Sequence, residues 1–120
     1  MTDELPILDE QVLDELRASV GGDAAFVADL AATYVDEGTQ QIAEIEAAGA
    51  AGDTEAIVRP AHSLKSGSAS LGAARMSRIS REIEFAGREG RGDALAELVA
   101  SARRAWDETV SELRARSLTP

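Results

Sequence analysis

Ile57-Val58-Arg59-Pro60-Ala61-His62-Ser63-Leu64-Lys65-Ser66-Gly67-Ser68-Ala69-Ser70-Leu71 is the stretch whose periodicity decides how the chain folds. At 100° per residue, Ile57, Ala61, Leu64, Ser68 and Leu71 fall within about ±40° of one line, which predicts a helix with that stripe on a core. His62 lies off the stripe, roughly 140° from its centre, beside Val58, Lys65, Ser66 and Ala69. The imidazole is therefore expected on the solvent side of its helix.

Working outward, Asp53 is a cap for this helix, which should run to about Ser70 before Leu71-Gly72-Ala73 turns the chain. Pro60 conflicts with a helix that starts at Asp53, since it removes the bond to the carbonyl of Ala56 and typically costs ~3 kcal/mol in a helix interior. Either the helix kinks there, or regular helix begins near Pro60, where proline is tolerated in the first turn. Upstream, Asp9 caps a short helix of about Glu10 to Ala18 with Val12, Leu13 and Leu16 as its apolar side, and Gly21-Gly22 stops it. Asp23 opens a long helix in which Phe26, Val27, Leu30, Ala31, Tyr34, Gly38, Ile42 and Ile45 recur at three- and four-residue steps, ending at Gly49 and Gly52. Downstream, Met76, Ile79, Ile83 and Ala86 stripe a helix that stops at Gly90-Arg91-Gly92. A last helix follows Asp93 with Leu95, Leu98, Val99, Ala102, Trp106, Val110 and Leu113 inward, and the tail after Arg116 is expected to fray.

No stretch shows strand alternation, so the fold class is all-α. Short connections favour antiparallel neighbours, which predicts an up-down four-helix bundle with the short N-terminal helix covering one end. The 120 residues fit a single domain, 1–120, and need no staple; there are no cysteines. No run approaches a membrane span, and Met1-Thr2-Asp3-Glu4 does not open a signal peptide, so a cytoplasmic monomer is expected.

The net charge of −10 argues against nucleic acid and anionic membranes as partners. The charge is uneven. From Arg59 to Arg91 seven basic residues meet three acidic ones, a local +4 that leaves −14 for the rest. A basic segment around the only histidine suits an acidic or phosphorylated partner, or else is a solvated mixed-charge face.

His62 has neighbours suited to phosphoryl chemistry. Lys65 at i+3 and Ser66 at i+4 are within reach of the ring, offering a phosphoryl group a cation and a hydroxyl, and Gly67 and Ser68 keep the next turn small. Neutral imidazole is a nucleophile at cellular pH. Other chemistries do not assemble: the Glu-x-x-His spacing of di-iron bundles fails because Arg59 stands three residues before His62, no hydrolytic triad is legible, and no phosphate-binding glycine loop is present. Self-phosphorylation from ATP is not expected.

The run from Ala61 to Ala73 closely resembles the signature of histidine-containing phosphotransfer (HPt) domains: Ala-His-x-Leu-Lys, a stretch of small residues, then Leu-Gly-Ala. Ile7-Leu8-Asp9, Gly22-Asp23, Gly52-Asp53 and Ile83-Glu84 also look like that family. The resemblance implies a bundle that relays a phosphoryl group, with His62 phosphorylated on Nε2 and Lys65 near the phosphoryl oxygens. It also implies that Glu84 can bond the imidazole Nδ1 and orient the ring, the alternative being an exposed helix carboxylate. One departure is that Ser66 stands where the family often has glycine and Gly67 where it often has serine. Whether Ser66 or Ser68 assists the phosphoryl group is therefore open.

The resemblance further implies receiver domains of a hybrid sensor kinase and of response regulators as partners, which would bring the aspartate and Mg²⁺, so that this chain binds no cofactor itself. A docking surface is expected around Leu8, Val12, Val58 and Ala69. Two other classes compete: a bundle that docks a receiver or kinase without carrying phosphate, and the phosphoacceptor domain of a sensor kinase. Ser63 argues against the second, which would show an acidic residue after its histidine.

Overall fold

The structure is a computed structural model that describes residues 4–116 and 118. Five α-helices follow in order: α1 (Glu10–Ser19), α2 (Ala24–Ala51), α3 (Val58–Leu71), α4 (Ala74–Arg88) and α5 (Leu95–Ala115). Among the described residues there is no strand, and no helix is long and apolar enough to cross a membrane. Helices α2 to α5 form the bundle: α3 packs on α2 and α4, and α5 closes the ring against α4 and α2. Helix α1 lies across one end, against α2 and α3.

Two of the expected aspartate caps, Asp9 and Asp23, act where the sequence places them. Asp9 accepts hydrogen bonds from the amides of Gln11 and Val12, and Asp23 from that of Phe26. Gly52 and Gly72 close α2 and α3 in the left-handed region, with φ of 65° and 82°. At Gly72 the constraint is double. A Cβ there would stand 3.1 Å from the carbonyl oxygen of Asp9 and 3.2 Å from Val12, and the Gly72 carbonyl accepts from the Asp9 amide at 2.7 Å. The entry to α1 is thereby held on the α3–α4 turn. Arg75 adds to this grip, donating from its guanidinium to the Leu5 carbonyl at 2.9 and 3.1 Å.

Pro60 takes the second of its two alternatives. Asp53 accepts from the Ala56 amide at 3.0 Å and opens a turn over residues 54–57, and regular helix begins at Val58. Pro60 then sits in the first turn of α3, whose amides have no intrahelical acceptor to lose, and no continuous helix exists there to kink. Helix α5 likewise starts late, after a 3₁₀ turn over Gly92–Ala94. Of the tail expected to fray, Ser117, Thr119 and Pro120 lie outside the described residues, and Leu118 packs against the core.

The core carries the predicted stripes with two differences. Phe26 and Leu30 are exposed, at 47% and 37%, because the covered line of α2 is narrow and runs Val27, Ala31, Tyr34, Gly38, Ile42, Ile45, Ala48. Thr109 is fully buried, its hydroxyl satisfied by donating to the Ala105 carbonyl at 2.7 Å. At mid-bundle, Trp106 of α5 packs on Tyr34 with ring centroids 5.4 Å apart, and its six-membered ring fills the place beside Gly38 where a side chain would stand.

A Cβ on Gly38 would fall 2.1 Å from a Trp106 ring carbon. Gly38→Ala must therefore displace the indole. Despite alanine's better helix propensity, it is expected to destabilise the fold by about 1–3 kcal/mol. Urea unfolding followed by the fluorescence of the single tryptophan measures this, and an unchanged midpoint would show that α5 yields freely.

Candidate functional site

Ala61 and Leu64, both fully buried, fix the phase of α3 and leave His62 outward with its side chain 55% exposed. Lys65, one turn on, is half-buried, and α4 supplies Glu84 opposite the two of them. Glu84 is 6% exposed and is the meeting point of the site. Its Oε2 stands 2.8 Å from His62 Nδ1, and its Oε1 accepts from Lys65 Nζ at 2.6 Å. Arg88 donates to Oε2 from Nη2 at 2.8 Å and from Nε at 3.2 Å. The two helices are also tied by Ser77, whose hydroxyl donates to the Lys65 carbonyl at 3.1 Å.

Burial works against the Glu84 charge, but the bonds from Lys65, Arg88 and His62 outweigh it and hold the carboxyl down at about 2. An ionised carboxylate only accepts, so Nδ1 must be the donor of the His62–Glu84 bond. In the neutral ring this leaves the lone pair on Nε2, which among the described residues has no hydrogen-bond partner. The arrangement therefore presents an oriented, accessible nitrogen nucleophile beside a lysine ammonium.

Of the two positions left open for Glu84, the structure takes the buried one. Several other expected residues fall elsewhere. Ser68 is fully buried and its Oγ lies 2.7 Å from the Tyr34 hydroxyl, so it joins α3 to α2 and does not face His62. The cause is its place on the core stripe, two turns from Ala61. Ser66 stays exposed on the histidine's side of the helix. Gly67 is half-buried on the side of α3 that meets α2, where a Cβ would make an ordinary contact with the Tyr34 ring at 3.4 Å, and so it lies off the histidine's side of the helix. Leu8 is 5% exposed and belongs to the core, which removes it from any docking surface. Val58 is half-buried, and Ala69 is exposed. Val12, Lys65, Ser66, Ala69, Arg78 and Arg81 line one shallow groove running from the histidine's helix to α1 and α4.

Arg88 is the site residue that the sequence reading missed. Its signal was available in the i,i+4 spacing from Glu84, the favourable order for such a pair, but the pair gains meaning only once Glu84 is known to be buried.

The Hpt domain family model matches residues 29–116 of the chain. The chain belongs to the Hpt domain family. Its fold is similar to that of histidine-containing phosphotransfer protein B (HptB) from Pseudomonas aeruginosa PAO1, with a TM-score of 0.81 and 26% sequence identity over 92% of this chain and 94% of that one. No curated protein matches the chain. The Hpt assignment carries the coarse function with it: histidine phosphotransfer within a two-component phosphorelay, in the helical bundle of that family.

Glu84 also links the candidate site to stability. Its carboxyl lies at about 2 when folded against an ordinary 4.5, so the stabilisation is fully present above pH 4.5 and is lost as pH falls towards 2. Glu84→Gln is expected to lower the unfolding free energy at pH 7 by up to about 3 kcal/mol, with the gap from the parent closing between about pH 4.5 and 2. Denaturant unfolding of both proteins across that range tests the linkage, and a pH-independent gap would contradict it.

Proposed function

We propose that His62 is the phosphoacceptor of this Hpt domain, taking a phosphoryl group from the aspartyl phosphate of one receiver domain and passing it to the aspartate of another. The observation that carries the reading is the ionised Glu84 bonded to Nδ1, with Nε2 open on an exposed face beside Lys65. In the forward step the Nε2 lone pair attacks phosphorus, the bond from phosphorus to the aspartyl oxygen breaks, and the aspartate leaves as a carboxylate. Lys65 offsets charge on the phosphoryl oxygens, and Ser66 is the hydroxyl placed to help. Onward transfer is the same exchange in reverse, so the protein is the carrier and not a conventional enzyme.

Mg²⁺ enters as the receiver's ion. Among the described residues no group of three or more histidine or carboxylate side chains could hold a metal, and the carboxylate nearest the ring is already taken by three donors. The donor receiver is assigned to a hybrid sensor kinase and the acceptor to a response regulator, with the domain acting as a cytoplasmic monomer. Docking is placed on the groove of Val12, Lys65, Ser66 and Ala69, with Val58 at the far side of His62 and the cations Arg78 and Arg81 along the α4 wall. Those cations suit the acidic pocket that a phosphorylatable aspartate and its metal require.

The test is incubation of the full chain with a phosphorylated receiver and Mg²⁺. Acid-labile label is expected on the parent and none on His62→Ala, while Lys65→Ala should slow transfer by about 10- to 100-fold. Label that never reaches the parent, or that still reaches His62→Ala, refutes the reading. If His62→Gln supports signalling unchanged, the domain is a docking module instead.

A further inference from the structure

We propose that Arg88 is a positioning residue for phosphotransfer, neutralising Glu84 so that Glu84 orients the His62 ring without holding it as the imidazolium. The inference rests on the reading of His62 as phosphoacceptor. A carboxylate on Nδ1 has two effects of opposite value. It selects the ring tautomer whose lone pair is on Nε2, and it also favours the doubly protonated ring, in which Nε2 carries a proton and cannot attack. A buried carboxylate with no other partner would favour the second strongly.

Glu84 has other partners. Lys65 occupies Oε1, and Arg88 bonds through two nitrogens to Oε2, the same oxygen that accepts from the ring. A third positive charge on the imidazole would therefore be placed against a carboxylate already answered by two cations. The two cations are not equivalent. Lys65 shares a helix face with His62 and is the cation nearest an incoming phosphoryl group, so its bond to Glu84 competes with the phosphoryl oxygens. Arg88 ends α4, four residues beyond Glu84, and its two-nitrogen hold is on Oε2, not on the Oε1 that Lys65 occupies, so it does not depend on the lysine bond.

The surrounding charges do not replace it. Arg59 stands one turn before His62 on α3. Glu37 of α2 lines the groove at Ser63, and Asp9, the cap of α1, lines the groove at Lys65 together with Arg78 and Arg81 of α4. Asp9 is committed to its capping bonds. The bonds to Glu84 come from His62, Lys65 and Arg88.

The chain has one histidine, so a ¹⁵N NMR titration of the intact protein reads His62 alone. Arg88→Gln is expected to move protonation of the ring to higher pH by about half a unit or more. The same variant should take up phosphoryl groups about threefold more slowly near pH ~6, with the deficit shrinking as pH rises. Arg88→Lys keeps the charge and should restore most of the titration position. In a Glu84→Gln background, Arg88→Gln should add no further shift, because the carboxylate through which it acts is gone. Superimposable titrations of the parent and Arg88→Gln overturn the proposal, as does an equal shift in both backgrounds, which would make Arg88 a direct through-space charge on the ring. The titration needs no partner. A parent protein that accepts no phosphoryl group would thus refute the role of His62 and leave Arg88 judged separately.

Discussion

One carboxylate, placed where water barely reaches it, organises the functional face of this domain. Glu84 is taken out of solvent between α3 and α4, a position that strongly disfavours a charge unless donors surround it. Three donors do: a ring nitrogen, an ammonium and a guanidinium, drawn from two helices. The bonds hold α3 and α4 in register, keep Glu84 ionised, and through that ionisation dictate which nitrogen of His62 bears the proton. Structure and reactivity thus depend on the same contact.

That contact is only as precise as the packing beneath it. Ala61 and Leu64 have no exposed surface and set the rotation of α3, so the histidine between them has no freedom to turn inward. On the opposite side of the same helix Ser68 pairs with Tyr34, whose ring in turn rests on Trp106, and Trp106 reaches that position because Gly38 has no side chain. A line of contacts therefore runs from α5 through α2 to the helix that presents His62. Proline at position 60, disruptive inside a helix, falls in the first turn of α3 and leaves the turns bearing the site regular.

The charge distribution follows the same economy. The domain is acidic as a whole, yet the segment from Arg59 to Arg91 is net positive, and several of its cations gather around the histidine's helix. Lys65 and Arg88 are held by Glu84, so the basic character near the ring is ordered and is not merely a solvated fringe. In the proposed reading of His62 as phosphoacceptor, such surroundings would offer an anionic phosphoryl donor charge compensation before it arrives.

The sequence by itself determined the order of the helices, the caps at Asp9 and Asp23, the outward phase of His62 and the neighbourhood of Lys65, because these depend on local periodicity and on side chains within one or two turns. The run from Ala61 to Ala73 was also enough to point to the family. Contacts between residues far apart in the chain were beyond it. Whether Glu84 was a buried partner of the ring or an exposed helix carboxylate depended on how α4 rotates against α3, and helical phase leaves such a borderline position undecided. The same limit hid Arg88, whose importance follows from the burial of Glu84. It also misplaced Gly67 and Leu8, which turn out to face α2 and the core, whereas Ser68 stands on the core stripe that helical phase had drawn and only its pairing with Tyr34 needed the fold. A small residue near a reactive one in sequence can serve access or packing, and only the position of the neighbouring helix decides which.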